Sequence, residues 1–159
     1  MRFSATLLFI TLITSASAAP GRERRNQFTG GGGDVSQINR AVIPATFGIT
    51  AGSGPRANGC TGANNAVIPC DCPPLPSDPR FLGGLASLLT QGFFPDPSVA
   101  SPIDLRRFND AADQSVATNK NRATAMIQVM QSLSGNKGQG CPGVSTPVLV
   151  AQQQTGVVG

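Results

Sequence analysis

Apolar positions along the chain fall into two stretches with helical spacing, and both lie between two Cys-Pro steps, Cys72-Pro73 and Cys141-Pro142. Phe81, Leu82, Leu85, Leu88 and Leu89 recur at i, i+1, i+4, i+7 and i+8, which sets them on one face of a helix. Ser77 is placed to cap that helix, Asp78 supplies acid to its first turn, and Pro79 suits the first helical position. Gly92, with Pro95 and Pro97 beyond it, stops the pattern, so a helix is predicted over 79–91. Gly83-Gly84 weakens it by roughly 1 kcal/mol per glycine relative to Ala, or marks a close approach by another segment. The second stretch carries Val116, Ala123, Met126, Ile127, Met130 and Leu133 on one stripe. With Asp113 or Ser115 as cap and Gly135 as stop, it predicts a core-facing helix over 115–134. Asn119, Lys120, Asn121 and Arg122 are then its solvated outer face. Met126 and Met130, one turn apart, read as adaptable core filler rather than thioether metal ligands.

Between the two, Ile103, Leu105 and Phe108 predict a short third helix near 102–112, and Phe93-Phe94 reads as a lid on the core. Ahead of the helices the texture changes. Ala-Val-Ile-Pro occurs at 41–44 and again at 66–69, and a following proline drives both Ile43 and Ile68 to extended backbone. Two short strand-like segments are therefore expected, separated by turn-rich residues 52–59. Gly30 to Gly33, four glycines in a row, predict a flexible arm over 19–40. After Cys141 an apolar run is interrupted by Pro147, which suggests an extended strap, with 152–159 fraying. The fold class is thus mainly α, one small disulfide-clasped domain over 41–151 with an extended N-terminal segment.

Chemistry of the ends sharpens the picture. Arg2 precedes an apolar run from Leu7 to Ile13, and small residues from Ser15 to Ala19 follow, the layout of a secretory signal peptide over 1–18 cut after about Ala18. No later run reaches the ~18 apolar residues of a membrane span. Arg24-Arg25 resembles a dibasic processing site, with cleavage after Arg25, as well as an ordinary charged linker. Residues 26–159 hold eight Lys or Arg against seven Asp, a net charge of +1, so no clustered basic face for nucleic acid is expected. Four cysteines suit two disulfides in an oxidising compartment. Pairing Cys70 with Cys72 would close a strained three-residue ring. Two connectivities remain, Cys60–Cys70 with Cys72–Cys141, or Cys60–Cys72 with Cys70–Cys141. Chain entropy gives about 2.7 kcal/mol for the small loop and about 4.4 for the large one in either case. The first is favoured because it joins the two Cys-Pro steps and brackets both helices. A four-cysteine zinc site lacks the paired spacing of structural zinc, so no metal and no cofactor are expected.

Several reaction classes have no side chains to run them. The chain has no His, Tyr or Trp, and its one Glu, Glu23, precedes the dibasic pair. That removes imidazole-dependent nucleophilic triads and His metal sites. Asp110 and Asp113 could share a helix face as a carboxylate pair, but helix-start charge is the simpler role. Lys120 or Lys137 with a serine has no dyad spacing. The glycines around Lys137 follow a helix rather than precede one, and no Ser or Thr comes after the Lys, so residues 135–140 read as a C-cap loop delivering Cys141.

Three runs together are similar to small secreted proteins of basidiomycete fungi: Ile43 to Gly52, Ile68 to Pro74, and Asn121 to Ile127, with Gly140-Cys141-Pro142. The resemblance covers about residues 41–153. It implies a secreted fungal protein and carries over no functional residue. The expectation is a non-enzymatic interaction protein at the fungal surface or host interface, its partner a cell-wall or host component. An extracellular carrier of an apolar ligand, using the Leu- and Met-lined helices, is the first alternative, and an unrecognised hydrolase based on Asp or Ser the second.

Overall fold

The computed structural model describes residues 33–91, 103–133 and 140–159. The signal-peptide and processing positions Ala18 and Arg25, the Phe93-Phe94 pair and the Lys137 loop lie outside the described residues. Among the described residues, four α-helices and one two-stranded hairpin make a mainly α unit. Helix α1 is Pro79–Gln91, α2 Leu105–Asn109, α3 Val116–Gln131 and α4 Pro147–Thr155, while β1 (Cys60–Thr61) pairs antiparallel with β2 (Val67–Ile68).

Helix α1 is close to its expected span, but its cap differs. The Asp78 carboxylate, not Ser77, accepts the Arg80 backbone N–H at 2.8 Å, and the Asp78 carbonyl accepts the Leu82 N–H. The apolar face built from Phe81, Leu82, Leu85, Leu88 and Leu89 is buried throughout. Phe81 meets Phe47 edge to face, with ring centroids 5.2 Å apart, so the extended N-terminal segment contributes a core aromatic.

A close approach of backbones occurs beside α1, but at Gly33: a Cβ on Gly83 would meet its neighbours at ordinary contact distances. Gly33 lies so close to the helix that a Cβ on it would collide with the Gly83 carbonyl, the Ser87 nitrogen and the Ala86 side chain. The N-terminal segment therefore docks on α1 by close backbone approach. From here the chain makes two single-turn 3₁₀ helices, Val35–Gln37 capped by Asp34 and Arg40–Val42 capped by Asn39. Ile38 and Val42 are buried, and Asn39 donates its backbone N–H to Asn109 Oδ1 and its Nδ2 to the Asn109 carbonyl, at 2.9 Å each. The arm expected up to residue 40 is thus packed structure from residue 33 onward. Asx capping and two apolar anchors outweigh the entropy of one glycine.

The far end departs from expectation in the same sense. Residues 147–155 form a helix rather than an extended strap, because Pro147 occupies the first helical position, where its missing N–H costs nothing. Gly156 closes α4 in the left-handed region at φ 77° and donates to the Gln152 carbonyl at 2.7 Å. Gln152, placed in the frayed tail by the sequence, is fully buried. Ile43 and Ile68 are both extended, but β2 pairs with β1 and not with the first Ala-Val-Ile-Pro segment. The short helix and α3 are also trimmed relative to 102–112 and 115–134, since Asp104 caps the one and Ser115 the other.

Cys60 is bonded to Cys70, and Cys72 to Cys141. The second bond joins the segment entering α1 to the segment leaving α3, where the Cys141 N–H donates to the Met130 carbonyl at 2.8 Å. The first closes only the hairpin. Replacing Cys72 and Cys141 together by Ser should therefore lower the urea-unfolding free energy by about 4 kcal/mol, and replacing Cys60 and Cys70 by about 3 kcal/mol. A larger loss from the hairpin pair would contradict this assignment of roles.

Candidate functional site

Helix α3 has polar residues on a face where the sequence suggested solvent, yet that face is buried. Asn119, Asn121 and Arg122 are each at most 5% exposed, and Thr118 and Thr124 are buried as well. The stripe of Ala123, Met126, Ile127 and Met130 is buried as expected, whereas Val116 at its start is 55% exposed. The helix is enclosed nearly all round. Periodicity missed this because its apolar residues account for one face only, and the other is covered through polar contacts.

Arg122 is the centre of those contacts. Its side chain crosses to the end of α2 and the turn that follows. The Nε–H donates to the Phe108 carbonyl at 2.9 Å, one Nη to the Asp113 carbonyl and the Asn119 Oδ1, each at 2.8 Å. The other Nη donates to the Arg107 carbonyl at 3.4 Å and to the Asp110 carbonyl. Every one of the guanidinium's five N–H donors has an acceptor, so a residue 1% exposed is satisfied without a direct carboxylate. Burial pulls the Arg122 guanidinium below its ordinary pKa, while the Asp113 and Asp110 charges act the other way. Three of the five acceptors are carbonyls at the C-terminal end of α2; those of Arg107 and Asp110 also accept main-chain N–H groups, so Arg122 adds a second donor to each and supplies one to Phe108.

Asn119 extends the network to α4. It accepts from Arg122 and donates through Nδ2 to the Gly156 carbonyl at 3.2 Å, while its main-chain carbonyl accepts from Gln152 Nε2 at 3.1 Å. One further contact, Gln153 Nε2 to Thr124 Oγ1 at 2.9 Å, ties the same two helices.

The two candidate carboxylates, Asp110 and Asp113, each make hydrogen bonds within the α2–α3 turn. Asp113 accepts from the Thr118 hydroxyl at 2.6 Å, from the Ser115 backbone N–H at 3.1 Å and from Arg107 Nε at 3.4 Å. Those hydrogen bonds, Thr118 first, hold its carboxyl well below the usual range. Asp110 faces solvent and accepts from the Ala112 N–H at 3.0 Å. Both shape the α2–α3 turn. Among the described residues no cluster of His, Cys, Asp or Glu could hold a metal ion, and no helix is long and apolar enough to cross a membrane. All four cysteines are bridged.

Concavity occurs beside the clasp. A groove of about 330 Å³ is bounded by Pro69, Asp71, Pro74, Arg80 and Leu133, with the Cys72–Cys141 bond in its wall. Arg80 sits at its edge, ion-paired with Asp78 at 2.9 Å and with its side chain 71% exposed. Asp71 is exposed. The groove therefore offers one cation and one anion against a wall of prolines and disulfide. No family model, curated protein or solved structure matches this chain.

Arg122→Met keeps the length of the side chain but removes all five of its hydrogen bonds, leaving the Phe108 and Asp113 carbonyls and Asn119 Oδ1 without that donor. It should cost about 3–5 kcal/mol in urea unfolding, while exposed Arg106→Met should stay within about 0.5 kcal/mol. Equal values for the two would mean that the buried network is dispensable.

Proposed function

We propose that this is a non-enzymatic secreted protein of the fungal surface or host interface, which binds a cell-wall or host component in the groove beside the Cys72–Cys141 clasp. One observation carries the reading: the best-held polar side chains, Arg122 and Asp113, have their hydrogen-bonding capacity turned inward on the fold, while Arg80 and Asp71 at the groove project to solvent. Inward-turned groups build a scaffold. Outward charges flanking a rigid, proline-walled concavity suit recognition of a polar surface. Two disulfides fit an oxidising compartment, and the layout of residues 1–18 supports secretion.

The apolar-carrier alternative is less well supported. Phe81, Leu85, Met126 and Met130 belong to one buried cluster in which the faces of α1 and α3 meet, so a ligand between them would have to part the core. The hydrolase alternative finds less support, because Asp113 is held by Thr118, Ser115 and Arg107 and Asp110 accepts from the Ala112 N–H in the same turn.

Full-length secreted protein should be retained on washed fungal wall or plant tissue fractions. Asp71→Lys with Arg80→Glu should reduce that retention about tenfold, equivalent to about 1.4 kcal/mol, without changing the circular dichroism. Retention by neither fraction, or retention untouched by the double variant, would sink the groove reading.

A further inference from the structure

We propose that Cys70 is a thiol-exchange site: a low-molecular-weight thiol attacks its sulfur, opening the Cys60–Cys70 bond while the Cys72–Cys141 clasp stays closed. The two disulfides differ in what solvent can reach. Cys70 is exposed, whereas Cys60, Cys72 and Cys141 are at most 4% exposed. Thiol–disulfide exchange needs in-line approach of a thiolate to one sulfur, so access selects both the bond and the atom attacked. The clasp borders the groove described above, but both of its cysteines are nearly buried, so they offer a thiolate a narrower approach than Cys70 does.

The chemistry balances with thiol alone. A thiolate attacks Cys70 Sγ, the bond to Cys60 Sγ breaks, and Cys60 leaves with the electron pair and takes up a proton. The product is a mixed disulfide on Cys70 and a free Cys60 thiol. A second thiolate attacks the outer sulfur of that mixed disulfide, releasing the oxidised small thiol and a Cys70 thiolate. The protein bond is reduced by two electrons, and two small thiols are oxidised. Cys60 departs into apolar surroundings, which makes it a sluggish leaving group and slows the step. That slowing does not remove the advantage over a clasp with both sulfurs enclosed.

What the first reduction leaves behind gives the site its use. The hairpin holds itself together apart from its disulfide. Arg56 donates to Thr61 Oγ1 at 2.9 Å and to the Asn65 carbonyl at 3.1 Å, the Thr61 hydroxyl donates to the Gly54 carbonyl at 2.8 Å, and Gly52 N–H donates to the Cys70 carbonyl at 2.7 Å. Ile68, beside Cys60 in the hairpin register, is anchored in the core, and a reduced Cys60 packs there as a small apolar residue. The once-reduced protein therefore keeps its helices and presents a thiol at Cys70, whose thiolate can attack a partner's disulfide, forming a mixed disulfide and releasing the partner's other sulfur as a thiolate.

Native full-length protein is incubated with reduced glutathione, sampled over time, quenched with iodoacetamide and mapped by peptide mass spectrometry. Glutathione should appear on Cys70, and Cys60 should be alkylated at least about tenfold faster than Cys72 or Cys141, with the helical circular dichroism signal intact through that stage. Glutathione on Cys60, clasp cysteines labelled as early as the hairpin pair, or loss of helix with the first bond would each overturn the proposal.

Discussion

Everything else in this fold depends on enclosing a polar helix. Helix α3 carries Thr118, Asn119, Asn121, Arg122 and Thr124 into the interior, and burial of such groups is costly unless their donors and acceptors are met; the Asn121 Oδ1 is buried without a hydrogen-bond partner among the described residues. Arg122 solves most of the problem in one residue. Its donors converge on carbonyls at the end of α2 and in the following turn, so a charge buried from water ties that helix end to α3. Asn119 carries the same logic across to α4. The apolar cluster supplies cohesion, but the polar network fixes which helices surround α3 and where they stop.

The disulfides act on a different level. The clasp fixes the two ends of the helical half to one another, and the N-terminal segment, through Gly33 on α1 and Phe47 on Phe81, closes the same core from the opposite direction. The hairpin bond is local. A protein built this way has its stability concentrated in α1, α3 and the clasp, while the hairpin edge and the groove margin carry the exposed chemistry. Rigid interior and reactive rim are compatible with a binding role, in which recognition rests on a few outward groups held by a scaffold.

Much of this was legible in the sequence, and the failures share a cause. Helix α1 follows from its apolar period and from Pro79, because one buried face dominates its pattern. The mainly α class follows from the same reasoning. Arg122 did not stand out, since an arginine next to two asparagines and a lysine has the composition of a solvated face; only the tertiary placement of α2's open carbonyls turns it inward. Gln152 misled for the same reason, lying in a run of glutamines that reads as a fraying tail. Pro147 reads as an interruption of an apolar run, although it sits where a helix accepts proline. Gly33, within a run of four glycines, has the composition of a linker, while its lack of a side chain serves close packing on α1. The candidate carboxylates Asp110 and Asp113 were visible by spacing, but their role as turn and cap groups depends on Thr118 and Ser115, which the structure brings to Asp113.

Native-state hydrogen exchange tests the central claim most directly. If α3 is the enclosed hub, its backbone amides from Arg122 to Met130 should be the slowest in the protein. They should exchange only through global unfolding, with free energies equal to that from denaturant titration. Exchange of those amides through local opening, at lower free energy than the amides of α1, would contradict the account.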